Sequence, residues 1–379
     1  MNHEKNYSPG ALVWQRFKKN KLHTLSLGVI LLSVLICLFA YFIVPDSSPN
    51  ANEMNLTLAL KKPGFRVKML KIDKEIIPEN KSFLTTLVSG KESPFKSLAI
   101  NGYQIKGDTL YCSLFVGEQS ETTVLERIPV NKLVRNKSQI SQFLKERVYS
   151  RTFYLGTDRY GRDLLSRLLL GTRVTLSVGF ISVFISLLIG ISLGAAAGYY
   201  KGKTDAFIMW FINVIWSVPT LLLVIAITLV LGKGFWQIFV AIGLTMWVDV
   251  ARVVRGQVLS VSEMEFVEAG RALGFSPNRI IFRHILPNIA GPIIVVAASN
   301  FASAILLEAG LSFLGVGAQP PTPSWGTMIK ENYPYILMNL AYLALLPGMA
   351  IMFMVLAFNL MGKGLRDAFD TKDMSTGLS

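Results

Sequence analysis

The residues best suited to recognition chemistry lie in one stretch, 262–287, which reads SEMEFVEAGRALGFSPNRIIFRHILP. Ser262 and Glu265 have capping-box spacing, which predicts a helix beginning at Glu263. Gly274 supplies a left-handed stop to that helix. Ser276 and Pro277 then provide an N-cap and a first-turn proline for a second short helix, and Pro287 is expected to end it. Ala269, Gly270 and Ala272 leave the first helix with a nearly bare face that can enter a groove, and Glu268 adds one fixed charge for an arginine or a backbone donor. The chemistry this predicts is docking to another protein. On these residues alone, an ordinary solvated hairpin stays equally open.

Other candidates do less. Glu308, in the run Ile305-Leu306-Leu307-Glu308-Ala309-Gly310, is an ionisable group at membrane depth, where such groups face a bundle interior or a water-filled cavity. It either contacts substrate or ties to a polar partner in a neighbouring helix, and the tie is favoured. No segment matches GxxxxGK[ST], and Gly362-Lys363-Gly364 lacks both the upstream glycine and the following hydroxyl, so any ATP must be bound by another polypeptide. His3, His23 and His284 are far apart and no HExxH occurs. A Ser–His–Asp set cannot be assembled. Cys37 and Cys112 are too few for a disulfide framework or a cysteine metal site, and they are expected to be unpaired and in different compartments. No catalytic residue, metal site or cofactor is expected.

The elements that must position the 262–287 stretch are membrane helices. Of the 379 residues, 51% are hydrophobic and only 16% charged, against about 25% charged in a soluble domain. The net charge of +14 collects partly beside apolar runs, where it sets membrane topology and does not signal nucleic acid. Six stretches approach the ~20 residues a spanning helix needs: 24–44, 174–198, 206–231, 235–250, 289–314 and 340–362. Asp249 and Arg252 cut the fourth short. Pro219 and Pro347 are expected to kink the third and sixth. The first follows Arg16, Lys18, Lys19 and Lys21, which hold the N-terminus in the cytoplasm. It reads as a retained anchor in preference to a signal peptide.

With the N-terminus inside, residues 251–288 and the tail 363–379 also fall inside, so both termini are cytoplasmic. Residues 46–150 fall outside; their 16 basic and 11 acidic side chains do not break the positive-inside rule, from which loops longer than about 60 residues largely escape. Strand-like runs at 97–105 and 109–116 predict a small β-rich insertion there. Residues 151–173 read as a helix lying on the outer interface, or equally on the protein's own surface. Residues 174–362 form a five-helix core. Ser182, Ser186, Gly190, Gly194 and Gly198, one every fourth residue, form a stripe for close helix approach, read as packing, with sliding during a transport cycle as the lesser alternative. The fold class expected is an all-α polytopic membrane protein with six spans and an extracytoplasmic insertion.

Glu268-Ala269-Gly270, Gly274 and Leu286-Pro287 resemble the EAA loop of permease subunits in binding-protein-dependent ABC importers, with pattern E-A-A-x3-G-x9-I-x-L-P. Gly270 replaces the second alanine and His284 the isoleucine, the latter as in the Arg-His-Ile-Leu-Pro-Asn variant of the peptide branch, here 283–288. Three more stretches are similar to the C-type permease of dipeptide, oligopeptide and nickel importers: LGTDRYGRDLLSR at 155–167, ARVVRG at 251–256, and EAGLSFLGVG at 308–317 leading to QPPTPSWG at 319–326. The resemblance covers about 151–370 and the N-terminal anchor. It implies a type I permease fold and a bacterial cytoplasmic (inner) membrane. The implied partners are a second permease subunit, two ATP-binding subunits and an extracytoplasmic solute-binding protein. In the family, Glu268, Ala269, Gly270, Gly274, Leu286 and Pro287 would seat in a cleft of the ATP-binding subunit. Peptide is the default solute over nickel or a metal chelate. A secondary transporter is disfavoured because its coupling charges would sit in the spans; a membrane assembly protein is the other rival.

Overall fold

A computed structural model describes residues 9–74, 82–116, 124–133, 140–232 and 234–369; His3 and the tail residues 370–379 lie outside the described residues. The helices, in chain order, are α1 (Pro9–Lys19), α2 (Lys21–Ile43), α3 (Phe83–Ser89), α4 (Ile140–Arg147), α5 (Leu164–Tyr200), α6 (Gly202–Trp216), α7 (Thr220–Leu231) and α8 (Phe235–Val261). They continue with α9 (Glu265–Ala272), α10 (Pro277–Ile280), α11 (Leu286–Asn288), α12 (Ala290–Leu314), α13 (Trp325–Asn332) and α14 (Tyr342–Phe369). Five of them, α2, α5, α8, α12 and α14, are long and apolar enough to cross a membrane, and α6 with α7 makes a sixth span if its two limbs cross together.

Several expected boundaries move. Pro219 does more than kink the third span: the chain bends by 90° between α6 and α7, because Pro219 takes an extended conformation at the N-cap of α7. Pro347, by contrast, sits within an unbroken α14. Asp249 and Arg252 do not end the fourth span, since α8 continues for 27 residues to Val261. No separate interfacial helix occupies 151–173. Strand β5 (Val148–Phe153) fills its start, and α5 runs without a break from Leu164 for 37 residues.

The chain divides into two compact units, one of Met1–Val34, Thr175–Gln319 and Gly348–Ser379, the other of Leu35–Val174 and Pro320–Pro347. In the first unit, α5 lies along α8. A methyl group on Gly190 would stand 2.5 Å from Val250 and 2.7 Å from the Trp247 carbonyl. On Gly194 it would stand 2.5 Å from the Ala251 carbonyl, and on Gly198 2.8 Å from that of Arg255. Ser182 continues the same face by donating to the Phe239 carbonyl at 2.9 Å. The stripe is therefore a packing seam: it lets two backbones meet where any side chain would collide. Beyond it, Arg255 grips Asp205 of α6 through Nε and Nη2 at 2.5 and 2.6 Å.

The second unit holds an antiparallel sheet in the order β4-β3-β2-β1-β5, where β1 is Phe65–Asp73, β2 Phe95–Lys106, β3 Thr109–Leu114 and β4 Leu125–Pro129. Its core packs Leu70, Ile100, Leu110 and Cys112 against Ile140 and Leu144 of α4. A buried charge network lies in the same unit. Arg162 binds Asp158 at 2.6 Å and Glu331 of α13 at 2.8 Å, and reaches Asn52 at 3.3 Å. Arg167 stands 3.7 Å from Asp158 and 3.8 Å from Glu331. A buried ion of this kind is tolerated because each charge has partners. Asp163 accepts from the amide and hydroxyl of Ser166, while burial pushes its carboxyl above the usual range against those bonds.

Two outcomes follow. Gly194→Leu is expected to overpack the α5–α8 seam and cost at least about 1–3 kcal/mol, whereas Gly28→Ala, with nothing within 4 Å of the added methyl, is expected to be neutral or better. Thermal unfolding in detergent checks the contrast. Cys112 is free and buried, and burial, then Glu126, pushes its thiol up to about 11. Because the thiolate is the reacting form, labelling by an impermeant maleimide is expected to be very slow at pH 7–8 in the native domain. It should rise with pH toward about 11, and become fast near pH 8 once mild denaturant loosens the sheet.

Candidate functional site

The elbow begins where α8 ends. Ser262 is buried and terminates α8, with its hydroxyl donating to the Leu259 carbonyl at 2.9 Å. The expected capping box does not form. Helix α9 starts two residues later than predicted, at Glu265, with Met264 at the N-cap and no side-chain cap. Ser262 is spent on the preceding helix because α8 outruns its apolar stretch.

Gly274 has φ +73°, the left-handed value its position requires. Its amide donates to the Arg271 carbonyl at 2.9 Å, and the Phe275 amide to that of Gly270 at 3.1 Å, so the turn closes without strain. Ser276 precedes Pro277 as expected, although its hydroxyl makes no cap bond. Pro287 does not end the second limb. After α10 the chain passes through a π-turn at Ile281–Ile285 and stays helical over Leu286–Asn288. The break comes at Ile289, with φ −101° and ψ 11°. A proline in the first turn of α11 needs no amide partner, which is why the helix accepts it.

The elbow is clamped to the bundle. Val267, Ile280, Ile281, Ile285 and Ile289 are buried with Val250, Val254, Val258 and Val261 of α8 and Ala195 of α5 in one apolar cluster. Phe275 and Leu286 pack on its edge. Phe275 is also sandwiched, with His284 stacked at 5.8 Å and the Arg279 guanidinium 4.0 Å from its ring centre. Burying this many branched apolar side chains fixes both limbs relative to α8.

The residues singled out from the sequence separate into two sets. Glu268, Ala269, Gly274 and Pro287 are exposed; Gly270 is buried and Leu286 half-buried. Gly270 is therefore not part of the bare face. It lies on the side of Val267, one turn away, and a methyl there would make ordinary contact with Phe275 at 3.5 Å and Ile280 at 3.9 Å, so the position faces the inside of the elbow and has room for an alanine. The outer face instead carries Phe266, Ala269 and Leu273, spaced i, i+3, i+7, with Glu268 and Ala272 beside them. Leu273 is 72% exposed and Phe282, on the second limb, 68%. The sequence reading missed these three large apolar residues. The signal was available: an apolar i, i+7 pair on a helix whose other stripe is already core.

Residues 190–372 match the family described as binding-protein-dependent transport system inner membrane component, and residues 8–63 match the N-terminal TM domain of oligopeptide transport permease C. The glutathione transport system permease protein GsiD of Pectobacterium atrosepticum is 41% identical over 223 residues, covering 59% of this chain and 74% of the relative. The dipeptide transport system permease protein DppC of Alkalihalophilus pseudofirmus is 37% identical over 292 residues, covering 76% of this chain and 91% of the relative. A third, the di/tripeptide permease DppC of Pseudomonas aeruginosa, is 44% identical over 220 residues, covering 58% and 72%.

This chain belongs to that permease family. It is a multi-pass inner-membrane subunit of a binding-protein-dependent ABC importer and forms part of its translocation pathway. The elbow lies within the matched region of the permease.

Glu308 of the permease is buried in α12 and accepts from the Ser312 hydroxyl at 2.6 Å. Ser312 in turn accepts from the Ala318 amide at 3.0 Å. One partner of this carboxylate thus lies one turn on in the same helix. A methyl on Gly317 would collide with Ser312 at 2.2–2.4 Å, and Gly315 ends α12 with φ +84°. The run 308–318 is a device for turning the chain tightly at the end of α12.

Gly274→Val is expected to strain the elbow, because a β-branched residue at positive φ is an outlier conformation, costing on the order of 1–3 kcal/mol. Membrane insertion should persist while proteolysis within 265–288 accelerates; an unchanged cleavage pattern would contradict the rigid turn.

Proposed function

We propose that this permease forms half of a translocation pathway for peptides, paired with a second permease subunit. Two ATP-binding subunits drive it and an extracytoplasmic solute-binding protein delivers the solute. ATP hydrolysis belongs to those partners. Peptide is supported by the relatives' names, which specify dipeptides, di/tripeptides, oligopeptides and glutathione. Both termini and the elbow are assigned to the cytoplasm and residues 46–150 to the outside, supported by the four cations Arg16, Lys18, Lys19 and Lys21 flanking α2. The domain organisation stays as read from the sequence apart from the interfacial helix.

The observation that carries the coupling role is the two-sidedness of α9. One side is locked into the α5–α8 cluster, and the other presents Phe266, Ala269, Leu273 and Glu268 to an outside partner. A knob that cannot move independently of α8 transmits displacement: whatever shifts Glu268 and Leu273 shifts the bundle. Two positions of the ATP-binding pair would then bias two states of the pathway through one coupling free energy. Gly274 sets the angle between the limbs, and Gly270 and Leu286 hold them together.

Reconstituted with its partner subunits in proteoliposomes, the complex is expected to take up labelled dipeptide on ATP addition, with nickel uptake as the competing outcome. Glu268→Lys and Leu273→Asp are each expected to lower solute-stimulated ATPase and uptake about tenfold or more, the scale of a disrupted charged or core interface contact. The permease itself should still insert and fold. Normal stimulation by both variants would remove the docking role.

A further inference from the structure

Asp249 has no role in the coupling described above, yet it is the most conspicuous acid in the spanning region. It lies about 21 Å along α8 from Phe235, in the inner third of a hydrocarbon layer about 30 Å thick, next to the stretch 251–288 assigned to the cytoplasm. Around it Met246, Trp247, Val248, Val250 and Ala251 are all buried, whereas Asp249 is exposed on the surface of the chain. A carboxylate left facing lipid is costly, so such a residue faces a partner or water. Its surroundings point to water. Asp249 lines two cavities of about 620 and 320 Å³. The larger also carries Gln257, Ser299, Asn300, Ser303 and Arg366. The smaller shares Ser303 and adds Thr245.

Among the described residues, none forms an ion pair or hydrogen bond with the Asp249 carboxylate. Arg252 acts on it only through space; its guanidinium stacks 3.6 Å from the Trp216 ring centre and donates to the Asn213 side-chain carbonyl at 2.8 Å. The site thus offers one anion with no direct hydrogen-bonded or ion-paired partner among the described residues, a surrounding set of hydroxyl and amide groups, and a cation, Arg366, lining the same cavity. That set of charges matches a zwitterion. Resting on the peptide reading above, we propose that Asp249 is a transit site for the α-ammonium group of the peptide, with Arg366 positioned for its carboxylate. The apolar share of the lining, Val253, Val295 and Val296, would tolerate varied side chains between the two charged ends.

The test uses the complete transporter in proteoliposomes, with Cys37 and Cys112 replaced by serine. Asp249→Asn keeps the shape and removes the charge, and is expected to lower dipeptide uptake about tenfold, the loss of one charge-assisted hydrogen bond, while the complex still assembles. In Asp249→Cys, a sulfonate-bearing thiol reagent is expected to restore uptake and a trimethylammonium reagent to abolish it, and saturating dipeptide should slow both modifications. A purely structural contact with the second permease would show no protection by peptide. Wild-type uptake in Asp249→Asn, or equal effects of the two reagents, would overturn the proposal. Absence of peptide uptake by the unmodified complex would instead overturn the peptide reading.

Discussion

The close approach of α5 and α8 is the constraint on which the rest of the first unit depends. Gly190, Gly194 and Gly198 place one backbone against the side chains and carbonyls of the other at distances where no Cβ fits. In a bilayer, lipid competes with protein for apolar surface, so helices associate through shape more than through hydrophobicity. This seam gives α8 a fixed position. The cluster Val250, Val254, Val258 and Val261 then continues the same helix beyond its apolar stretch and gives the elbow a floor. Asp249 and the floor of the elbow therefore lie on one helix, with Val261 about three turns beyond Asp249 at 3.6 residues per turn. That continuity is the physical basis for proposing that motion at α9 reaches the cavity.

The second unit is organised differently. Its sheet is built on ordinary alternation and short turns, but the ends of its membrane segments are held by charge. Arg162 is 1% exposed and is satisfied by Asp158, Glu331 and Asn52 from separate parts of the chain. Removing one partner of a buried pair typically costs about 3–5 kcal/mol because the other charge is stranded. Such a network contributes less to net stability than to defining a single arrangement of α13 and the 155–167 segment. Trp325 adds a neutral counterpart: its indole N–H donates to the Leu168 carbonyl at 2.9 Å, and its ring fills the space above Gly171.

The sequence by itself determined the membrane class, because the length of an apolar run is a local property. It located two of the five strands, β2 and β3, and five of the six span positions agree with helices to within a few residues at one end or both. It identified the elbow, since a glycine that must sit at positive φ and a proline in a first turn are read from single positions. The EAA-like spacing did the rest for the family. What it could not determine was direction. Gly270 and Ala269 are adjacent small residues, and only the packing of Phe275 and Ile280 shows that one faces the bundle and the other solvent.

Long-range partners decided the remaining points. Ser262 was a plausible cap for α9, but α8 continues that far because Ala195 and the elbow's own isoleucines bury Val254, Val258 and Val261. Asp249 looked like the end of a span, and tertiary structure made it the wall of a cavity because α12 brings Ser299, Asn300 and Ser303 beside it. The helix expected on the outer interface became the first turns of α5, with Leu164 and Arg167 both buried. In each case the deciding contact joins residues tens of positions apart, and no periodicity in a single sequence encodes which distant face a side chain will meet.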